Sequence, residues 1–490
     1  MLIDPPFYRI LGFYNRYFPF GLVALATFLK QNGFTDIQVY DADFNEQPES
    51  IDYSRIPDKY PTYLDSFKEN GHLVWAEVEE TIERLGPDIV GISIWTTFAA
   101  ASFFTAKIAK KIKPECLVVM GGPHATAKAD EILRICPDVD YVISGEGEDA
   151  LLELALALDN EAADVASIAG LSYRKGKQII HNTPRSLTID LNKFPFPDRT
   201  LLMNEERYNS EDMGLIMSGR GCPYSCTYCA TDTRRVGFRS PGHILSEIRF
   251  VKNRYNTTQF TFKDDSFTVN RKRVEEFCNK LIQERLRITW ECNTKVSLIN
   301  EPLLQLMKKA GCNFIKIGVE SGSERVLKMM NKGITHEQVR KAAKLFRKVG
   351  THWTGYFMMG VPGETEEDIK KTMEFLSEIR PDFACIGVYE PFPGTVMFQE
   401  GVKRGLLKQE LTLNDFYDTS PNNYYKMDGD RQTDTITPER FARLVKESMD
   451  FAHSYNRAFI HVLKMARARL NNYLNDPKIL WDDFKKYLSY

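Results

Sequence analysis

The sequence predicts an α/β fold in which a doubly wound parallel sheet comes first, a partial (β/α)6 barrel of the TIM type second and a helical region last. Three observations support this fold class. Short apolar runs alternate with helical patterns up to residue 165, a second alternating block begins near residue 206, and helical patterning continues after residue 400. Strands that alternate with helices form parallel sheets. We therefore divide the chain into a first domain at 1–165, a linker with a hairpin at 166–205, a barrel at 206–400 and a C-terminal region at 401–490.

Composition excludes several other classes of protein. Of 490 residues, 43% are hydrophobic and 27% are charged, which is typical of a folded globular chain. The 64 basic and 66 acidic side chains leave a net charge of −2, so no overall basic field favours nucleic acid. The uncharged stretch at 89–106 changes from Ile- and Val-rich to Ala- and Phe-rich, which favours a strand and a helix over a membrane span. Without signal-peptide features or a disulfide framework, we expect a reducing cytoplasm.

The first block contains five apolar runs of strand length. They lie at 2–3, 37–40, 89–94, 117–120 and 141–143, with helices predicted at 21–31 and 74–85. Small and polar residues follow the last three of these strands: Thr96, Thr97, Gly121, Gly122, Pro123, Gly145, Glu146 and Gly147. Open parallel sheets bind ligands at the carboxyl ends of their strands, so these residues predict a ligand crevice.

The second block follows a break in this rhythm. A hairpin is predicted at 170–182, and the Phe-Pro-Phe-Pro run at 194–197 is typical of a stiff linker. Strands are then predicted at 214–218, 259–263, 288–292, 314–318, 354–359 and 384–389. These βα units suit a partial barrel whose chemistry lies at the carboxyl ends of its strands. Beyond them, Thr437 followed by Pro438 is typical of a helix start.

Three cysteines form the strongest chemical signal. Cys222, Cys226 and Cys229 lie within eight residues, directly after the first predicted barrel strand. A structural zinc site normally needs four ligands, usually in two close pairs, and no second pair accompanies this triplet. Three thiolates on a [4Fe–4S] cluster leave one iron open, and an open iron can chelate a substrate or a cofactor. The triplet therefore predicts a catalytic cluster rather than a structural metal.

The Cys-x3-Cys-x2-Cys spacing, with Tyr228 before the last cysteine, resembles that of the radical S-adenosylmethionine superfamily. The resemblance implies that the open iron binds the amine and carboxylate of S-adenosylmethionine, whose reductive cleavage yields a 5′-deoxyadenosyl radical. It makes Tyr228 an adenine contact through its backbone or ring, and it implies an electron donor such as a flavodoxin or a ferredoxin. In such enzymes the cofactors carry the radical chemistry, while the protein positions them and excludes water.

Other segments resemble the same family at neighbouring strand ends. Asp264 and Asp265 end the second barrel strand, where family members hold the amine of S-adenosylmethionine. Glu320 and Ser321 end the fourth strand, and Glu320 resembles the contact to the methionyl or ribose portion. Gly360 lies in the Gly-rich segment that ends the fifth strand and resembles the adenine side. Together these segments predict the binding site for S-adenosylmethionine.

The first block resembles the Rossmann-like cobalamin-binding domain that precedes the barrel in one large branch of this superfamily. Segments at 18–22, 121–124 and 145–148 carry this resemblance, which extends over residues 1 to about 400. It implies that the small and polar residues at the strand ends bind cobalamin. The Asp-x-His-x-x-Gly signature that supplies an axial histidine to cobalt is absent. We therefore expect cobalamin to bind without a protein histidine on the metal, and His124 is not expected to be a ligand.

The combined resemblance implies a cobalamin-dependent enzyme that methylates an unactivated carbon of a small-molecule or natural-product substrate. Oxidative cyclisation, ring contraction and other outcomes of the same apparatus stay open as alternatives. A methylthiotransferase or nucleic-acid modifier is disfavoured, because the chain has no second cysteine triplet and no appended basic domain. A non-catalytic cluster protein is the alternative from another class. Tyr389 and Glu390, which end the sixth barrel strand, are candidate substrate contacts.

Overall fold

The N-terminal unit is a sheet with helices on both faces. The computed structural model describes residues 1–14, 17–45, 51, 56–68, 71–159, 164–231, 235–427 and 433–458, together with positions 464, 466, 469, 470, 473, 480 and 481. The strands of the first sheet are β1 (Leu2–Asp4), β2 (Val39–Asp41), β3 (Ile89–Ser93), β4 (Leu117–Gly121), β5 (Tyr141–Ile143), β6 (Leu171–Lys175) and β7 (Gln178–His181). Its helices are α1 (Phe20–Gln31), α2 (Ile56–Asp65), α3 (Val74–Leu85), α4 (Ala99–Ile112), α5 (Pro123–Ile135) and α6 (Glu148–Asp159).

The strand order of this sheet is β2-β1-β3-β4-β5-β6-β7. The strands from β1 to β5 run parallel, whereas β6 and β7 form an antiparallel hairpin beside β5. The chain adds β2 on one side of β1 and β3 on the other, so a topological switch point lies between β1 and β3. Open α/β sheets bind ligands beyond the carboxyl ends of the strands at such a point.

The two faces of the first sheet have different neighbours. Val23 of α1 and Leu154 of α6 belong to a core that continues into the barrel, where it includes Ile248. The opposite face packs with α2 to α5 and with residues from beyond the barrel, among them Phe398 and Phe416. The chain therefore returns to the N-terminal unit after it has completed the barrel.

The second sheet is the predicted partial barrel. Its strands are β8 (Leu215–Ile216), β11 (Gln259–Phe262), β12 (Thr289–Thr294), β13 (Cys312–Glu320), β14 (His352–Met359) and β15 (Phe383–Val388). They run parallel in the order β15-β14-β13-β12-β11-β8, which confirms the predicted fold class. A short antiparallel ribbon of β9 (Gly219–Arg220) and β10 (Gly237–Phe238) lies between the first two barrel strands in the sequence.

The helices of the second half begin at strong local signals. They are α7 (Pro241–Tyr255), α8 (Arg271–Glu284), α9 (Glu301–Lys309), α10 (Glu324–Met329), α11 (His336–Val349), α12 (Glu366–Ile379), α13 (Val396–Lys403), α14 (Leu413–Asp418) and α15 (Pro438–Arg457). Thr335 and Thr365 form capping boxes at α11 and α12, and Thr437 caps α15 at the predicted position. None of the described helices is both long and apolar enough to cross a membrane.

Candidate active site

The loop that carries the three cysteines follows β9; we call residues 221–229 the cluster loop. Gly221 has a φ of +91°, a left-handed conformation that favours glycine, and it leads the chain directly into Cys222. The Thr227 N–H donates to the Met330 carbonyl at 2.9 Å, and the Thr227 carbonyl accepts from the Met397 N–H at 2.8 Å. These two bonds attach the cluster loop to the end of α10 and the start of α13.

The donor set of the cluster loop fits an iron–sulfur cluster. Cys222 and Cys226 are partly buried, Cys229 is exposed, and all three thiols are free. Burial raises the pKa of the Cys222 and Cys226 thiols, and each lies within electrostatic reach of Cys229. Within the described residues, no three His, Cys, Asp or Glu side chains converge as a single metal ion would require. Three free thiols on one short loop are a donor set that fits a [4Fe–4S] cluster with one open iron.

Two predicted site residues meet beside the cluster loop. The Tyr228 hydroxyl donates to Glu320 Oε1 at 3.0 Å, and the Lys332 ammonium donates to the same oxygen at 2.6 Å. Lys332 also lies 3.1 Å from the Tyr228 hydroxyl. Burial lowers the pKa of Lys332, but the Glu320 carboxylate outweighs burial and the pKa is raised. The triad therefore holds the Glu320 side chain and a charged Lys332 ammonium in fixed positions.

Glu320 owes its orientation to the backbone at the end of β13. Its φ is +66°, which is uncommon for a residue other than glycine, and the pairing with β14 shifts register between Gly318 and Glu320. Such a local irregularity redirects a side chain at the end of a strand. Sequence reasoning found Glu320 but missed Lys332. The signal in the sequence was the Asn-Lys-Gly run at 331–333, because Asn and Gly favour turns with a positive φ, which both residues have in the structure.

The two adjacent aspartates have different environments. Asp264 is buried, and its carboxylate accepts the Ser218 N–H at 2.7 Å and the Ser218 hydroxyl at 2.6 Å. The Arg273 guanidinium lies 3.5 Å from it. Asp265 is exposed and accepts from the Thr231 hydroxyl at 3.4 Å. The Asp264 carboxylate is therefore committed to contacts within the barrel, and Asp265 is the one that remains accessible beside the cluster loop.

Ser321 and Gly360 shape the neighbouring strand ends. Ser321 is buried and its hydroxyl lies 3.1 Å from that of Thr372 in α12. Gly360 has a φ of +85°, and its N–H donates to the Glu364 carboxylate. Burial raises the pKa of Glu364 to about 8, and its second oxygen has no hydrogen-bond partner among the described residues. A neutral Glu364 thus supports the turn after β14.

The glycines of the N-terminal strand ends differ in what surrounds them. A Cβ at Gly122 would lie 2.8 Å from the Ile94 carbonyl oxygen, and the φ of Gly122 is +124°. The fold itself therefore requires glycine there. Gly145 has a φ of +85°, but no atom lies within 4 Å of the position where a Cβ would be. This open space at the end of β5 is what close approach of a large cofactor to the backbone needs, so the residues present fit cobalamin.

The polar residues after β3 have separate partners. Thr96 Oγ1 lies 3.0 Å from Nδ1 of His124. His124 is the second residue of α5, which begins at Pro123. His124 is 1% exposed, its ring packs edge-on against Phe416, and burial lowers its pKa to about 3. That His124 does not bind cobalt stays a prediction. Thr97 donates instead to Glu390 after β15, at 3.4 Å.

The acidic residues after β5 contact the barrel. Glu146 Oε2 accepts the Thr188 N–H at 2.7 Å, and Glu146 Oε1 lies 3.4 Å from Arg220 Nη1. Glu148 forms a shorter ion pair with the same guanidinium. Of the residues predicted for cobalamin, Glu146 thus connects the first sheet to the segment that precedes the cluster loop. Arg220 was missed by sequence reasoning, although a charged residue beside Gly221 was a visible signal.

A polar layer inside the barrel was also missed. The Lys316 ammonium lies 2.6 Å from Glu291 Oε1, which also accepts from the Thr261 hydroxyl at 2.9 Å. These residues come from three adjacent strands, and the Lys263 ammonium lies 4.3 Å from the centre of the Tyr17 ring, which belongs to the N-terminal unit. The signal was a charged residue within each of two barrel strands, Glu291 in β12 and Lys316 in β13. This layer makes the barrel interior polar.

Two family profiles match the chain. The B12 binding domain matches residues 10–155, and the Radical SAM superfamily matches residues 216–376. The first range contains most of the N-terminal sheet, and the second extends from the end of β8 into α12.

Relatives and solved structures agree with these profiles. The chain is 32% identical over 381 residues to the uncharacterized methyltransferase PH0819 of Pyrococcus horikoshii, covering 77% of this chain and 81% of that one. It is 30% identical over 393 residues to the anaerobic magnesium-protoporphyrin IX monomethyl ester cyclase of Rubrivivax gelatinosus, covering 78% and 66%. A solved structure with the same fold is that of the radical S-adenosylmethionine methyltransferase TsrM of Kitasatospora setae, with cobalamin and a [4Fe–4S] cluster bound. The TM-score is 0.67 and the sequence identity is 19%, and the match covers 92% of this chain and 88% of that one. This chain therefore belongs to the radical S-adenosylmethionine superfamily, in the branch with a B12 binding domain, and is an enzyme that uses a [4Fe–4S] cluster, S-adenosylmethionine and cobalamin.

Proposed function

We propose that this enzyme methylates an unactivated carbon of a small molecule held between its two sheets. The observation that carries the proposal is the hydrogen bond from Thr97 to Glu390 at 3.4 Å. Thr97 follows β3 of the B12 binding domain, and Glu390 follows β15 of the barrel, so the carboxyl edges of the two sheets face each other. A methyl donor at one edge and a radical initiator at the other would share the same interior.

The residues of the barrel edge are suited to hold the cluster and S-adenosylmethionine. Cys222, Cys226 and Cys229 would bind three irons. Glu320 would accept a hydrogen bond from the ribose or the amine of S-adenosylmethionine, since Tyr228 and Lys332 already fix its carboxylate and little reorganisation is needed. When bound, the cofactors supply the reducing electron, the radical and the methyl group. The protein supplies the fixed charges and the exclusion of water.

Glu390 is the proposed contact to the substrate. Burial raises its pKa, and Thr97 is its hydrogen-bond partner from the opposite sheet. Tyr389 is less suitable because it is 3% exposed and packs with Val326, Met330 and Met397. A protonated or hydrogen-bonded carboxyl group at Glu390 would recognise a hydroxyl, amine or amide group next to the methylated carbon.

The proposal has further parts that rest on the sequence arguments. They are an electron donor of the flavodoxin or ferredoxin type, a cytoplasmic location, and the division of the chain at residues 165, 205 and 400. The net charge of −2, which provides no overall basic field, supports a small molecule over nucleic acid as the substrate.

Labelled methyl transfer tests the proposed reaction. Protein reconstituted anaerobically with iron, sulfide and cobalamin is given S-adenosylmethionine with a deuterated methyl group and a reductant. We expect 5′-deoxyadenosine, deuterated methylcobalamin and, with metabolites extracted from a deletion strain, one product that carries the label. Cys226→Ala is the control, and it should form no 5′-deoxyadenosine. Release of 5′-deoxyadenosine with no label in cobalamin or product would contradict methyl transfer.

Oxidative cyclisation is a second candidate. It is favoured by the 30% identity to the magnesium-protoporphyrin IX monomethyl ester cyclase. The same experiment separates the two reactions, because a cyclised product would lack the deuterated methyl group and would have lost hydrogen. Methylation is preferred because the Pyrococcus horikoshii relative, of which the match covers 81%, is named a methyltransferase.

A further inference from the structure

Arg220 touches segments next to both cofactor sites. It is the last residue of β9 and stands two positions before Cys222. Its Nη2 donates to Glu148 Oε1, and its Nη1 lies 3.4 Å from Glu146 Oε1. Both carboxylates belong to residues 145–148, the segment after β5 at the carboxyl edge of the B12 binding domain. One guanidinium therefore connects this segment to the start of the cluster loop.

The ion pairs of Arg220 are largely removed from solvent. The side chains of Arg220, Glu146 and Glu148 are 24%, 13% and 5% exposed. Burial lowers the pKa of Arg220, but the two carboxylates outweigh burial and raise it. The Phe194 ring lies 5.6 Å from the guanidinium. Partly buried charges of this kind are costly to separate, so we expect the three side chains to move as one unit.

A glycine with a positive φ lies beside each end of this unit. At one end, Gly145 has a φ of +85° with open space beside it. Glu146 is also held by the Thr188 N–H, and a Cβ at Gly147 would lie 3.1 Å from Leu25, so this segment is closely packed on its other side. At the other end, Gly221 has a φ of +91° and leads into Cys222. A ligand that orders one end would order the other through the guanidinium.

We propose that Arg220 is a positioning residue that couples the cobalamin site to the cluster loop, so that each cofactor increases the affinity of the protein for the other. The inference rests on the proposed function, in which both cofactors serve one reaction space. The coupling is expected to be positive because the first cofactor to bind restrains the shared unit. The protein then has less conformational entropy to lose when the second cofactor binds. Coupling between two binding sites is reciprocal by thermodynamic necessity.

Cobalamin binding with and without the cluster measures this coupling. Hydroxocobalamin is titrated anaerobically into cluster-loaded wild-type protein and into a cluster-free form, in which Cys222, Cys226 and Cys229 are changed to alanine. We expect the cluster-loaded form to bind about fivefold tighter or more, the usual lower range for coupled sites. In Arg220→Met the ratio of the two dissociation constants should fall to about one. Arg220→Glu combined with Glu148→Arg should recover part of the ratio.

A matched control separates coupling from the general loss of an ion pair. Arg185 pairs with Glu153 on the same helix as Glu148, but it has no bond to the cluster loop among the described residues. Arg185→Met should therefore keep the wild-type ratio. Arg220→Lys provides a second variant if Arg220→Met does not fold. It keeps the charge but replaces Nη1 and Nη2, which reach separate carboxylates, with a single ammonium nitrogen, so its ratio should also fall.

A second readout is independent of affinity and activity. The Mössbauer spectrum of the ⁵⁷Fe-labelled cluster in its oxidised state, in which it does not reduce hydroxocobalamin, should change when hydroxocobalamin is added to wild-type protein, and this change should be smaller in Arg220→Lys. A wild-type ratio of one, or an unchanged ratio in both Arg220 variants, overturns the coupling while both cofactors still bind. Wild-type protein that retains no cobalamin at all would overturn the proposed function, and the coupling with it.

Discussion

The Lys332 ammonium donates a 2.6 Å hydrogen bond to the Glu320 carboxylate, beside Tyr228 of the cluster loop. Both side chains are about one-tenth exposed, at 12% and 11%. Neither charge is therefore well solvated without the other, so a substitution at Glu320 is expected to change stability as well as cofactor binding.

Glu320→Ala should have two measurable effects. S-adenosylmethionine binding should weaken by about 1–3 kcal/mol, the scale for a lost hydrogen bond to a charged group. The free energy of unfolding should fall by about 3 kcal/mol, because Lys332 is left buried and unpaired. Equilibrium dialysis and urea unfolding measure the two effects. Glu320→Gln combined with Lys332→Met should restore most of the stability but not the binding, and bound iron should not change. Loss of iron together with binding would make Glu320 a folding residue.

Cys226→Ala should remove most of the bound iron and abolish 5′-deoxyadenosine formation, because two thiolates hold a cluster poorly. Iron and sulfide analysis after anaerobic reconstitution checks this prediction. Cys385→Ala is a matched control, since this cysteine is also partly buried but lies in β15, away from the loop. Wild-type 5′-deoxyadenosine release from Cys226→Ala would show that the cluster assignment is wrong.

The two adjacent aspartates should respond differently to substitution. Asp264→Ala leaves Arg273 buried without its carboxylate partner and removes both acceptors of Ser218. The free energy of unfolding should therefore fall by about 3 kcal/mol or more. Asp265→Ala changes an exposed side chain and should shift stability by less than about 0.5 kcal/mol. Thermal unfolding of the two variants and of wild type measures this difference in stability. Equal losses would contradict the structural role assigned to Asp264.

Glu364 should make stability depend on pH. Its pKa is raised by burial to about 8 from an ordinary 4.5, so between these values the folded protein keeps a proton that the unfolded chain has released. The free energy of unfolding must therefore fall as pH rises through this window and level off above it. Glu364→Gln keeps an acceptor for the Gly360 N–H but does not titrate. Between about pH 6 and about pH 8, the free energy of unfolding of Glu364→Gln should therefore rise by about 1–3 kcal/mol relative to that of wild type.

Urea unfolding at several pH values tests this difference. Glu367→Gln, which changes an exposed carboxylate of the same helix, is the control and should follow wild type. Parallel curves for wild type and Glu364→Gln would show that Glu364 is already ionised in the folded protein.

His124→Ala should leave the visible absorption spectrum of bound cobalamin unchanged, because His124 is enclosed by Thr96 and Phe416 and no cobalt ligand is lost. A shifted spectrum would show that His124 reaches the metal. Gly122→Val is a poor test of cobalamin contact, since its Cβ would collide with the Ile94 carbonyl whether or not a cofactor is bound. We expect that variant to lose folded protein rather than cobalamin alone.

The sequence alone determined most of the elements and their order. The hydrophobic period and the amino-acid composition of a segment are local properties. The strands of both sheets and the cap at Thr437 could therefore be predicted within a few residues. One helix, α2, lies in a polar stretch and was not predicted; Pro61 in its interior conceals the helical pattern. The three cysteines are also local, because a loop of nine residues brings them together in any fold that contains it.

Only the tertiary structure decided which polar groups are partners. Arg220 and Glu148 are 72 residues apart, and Thr97 and Glu390 are 293 apart, so no periodic pattern connects them. Asp264 and Asp265 are equal in the sequence, but in the segment after β11 Asp264 is buried against Ser218 and Asp265 is exposed to solvent. Burial and long-range packing decide whether a carboxylate contacts a ligand or supports the fold, and these quantities exist only once distant segments have been brought together.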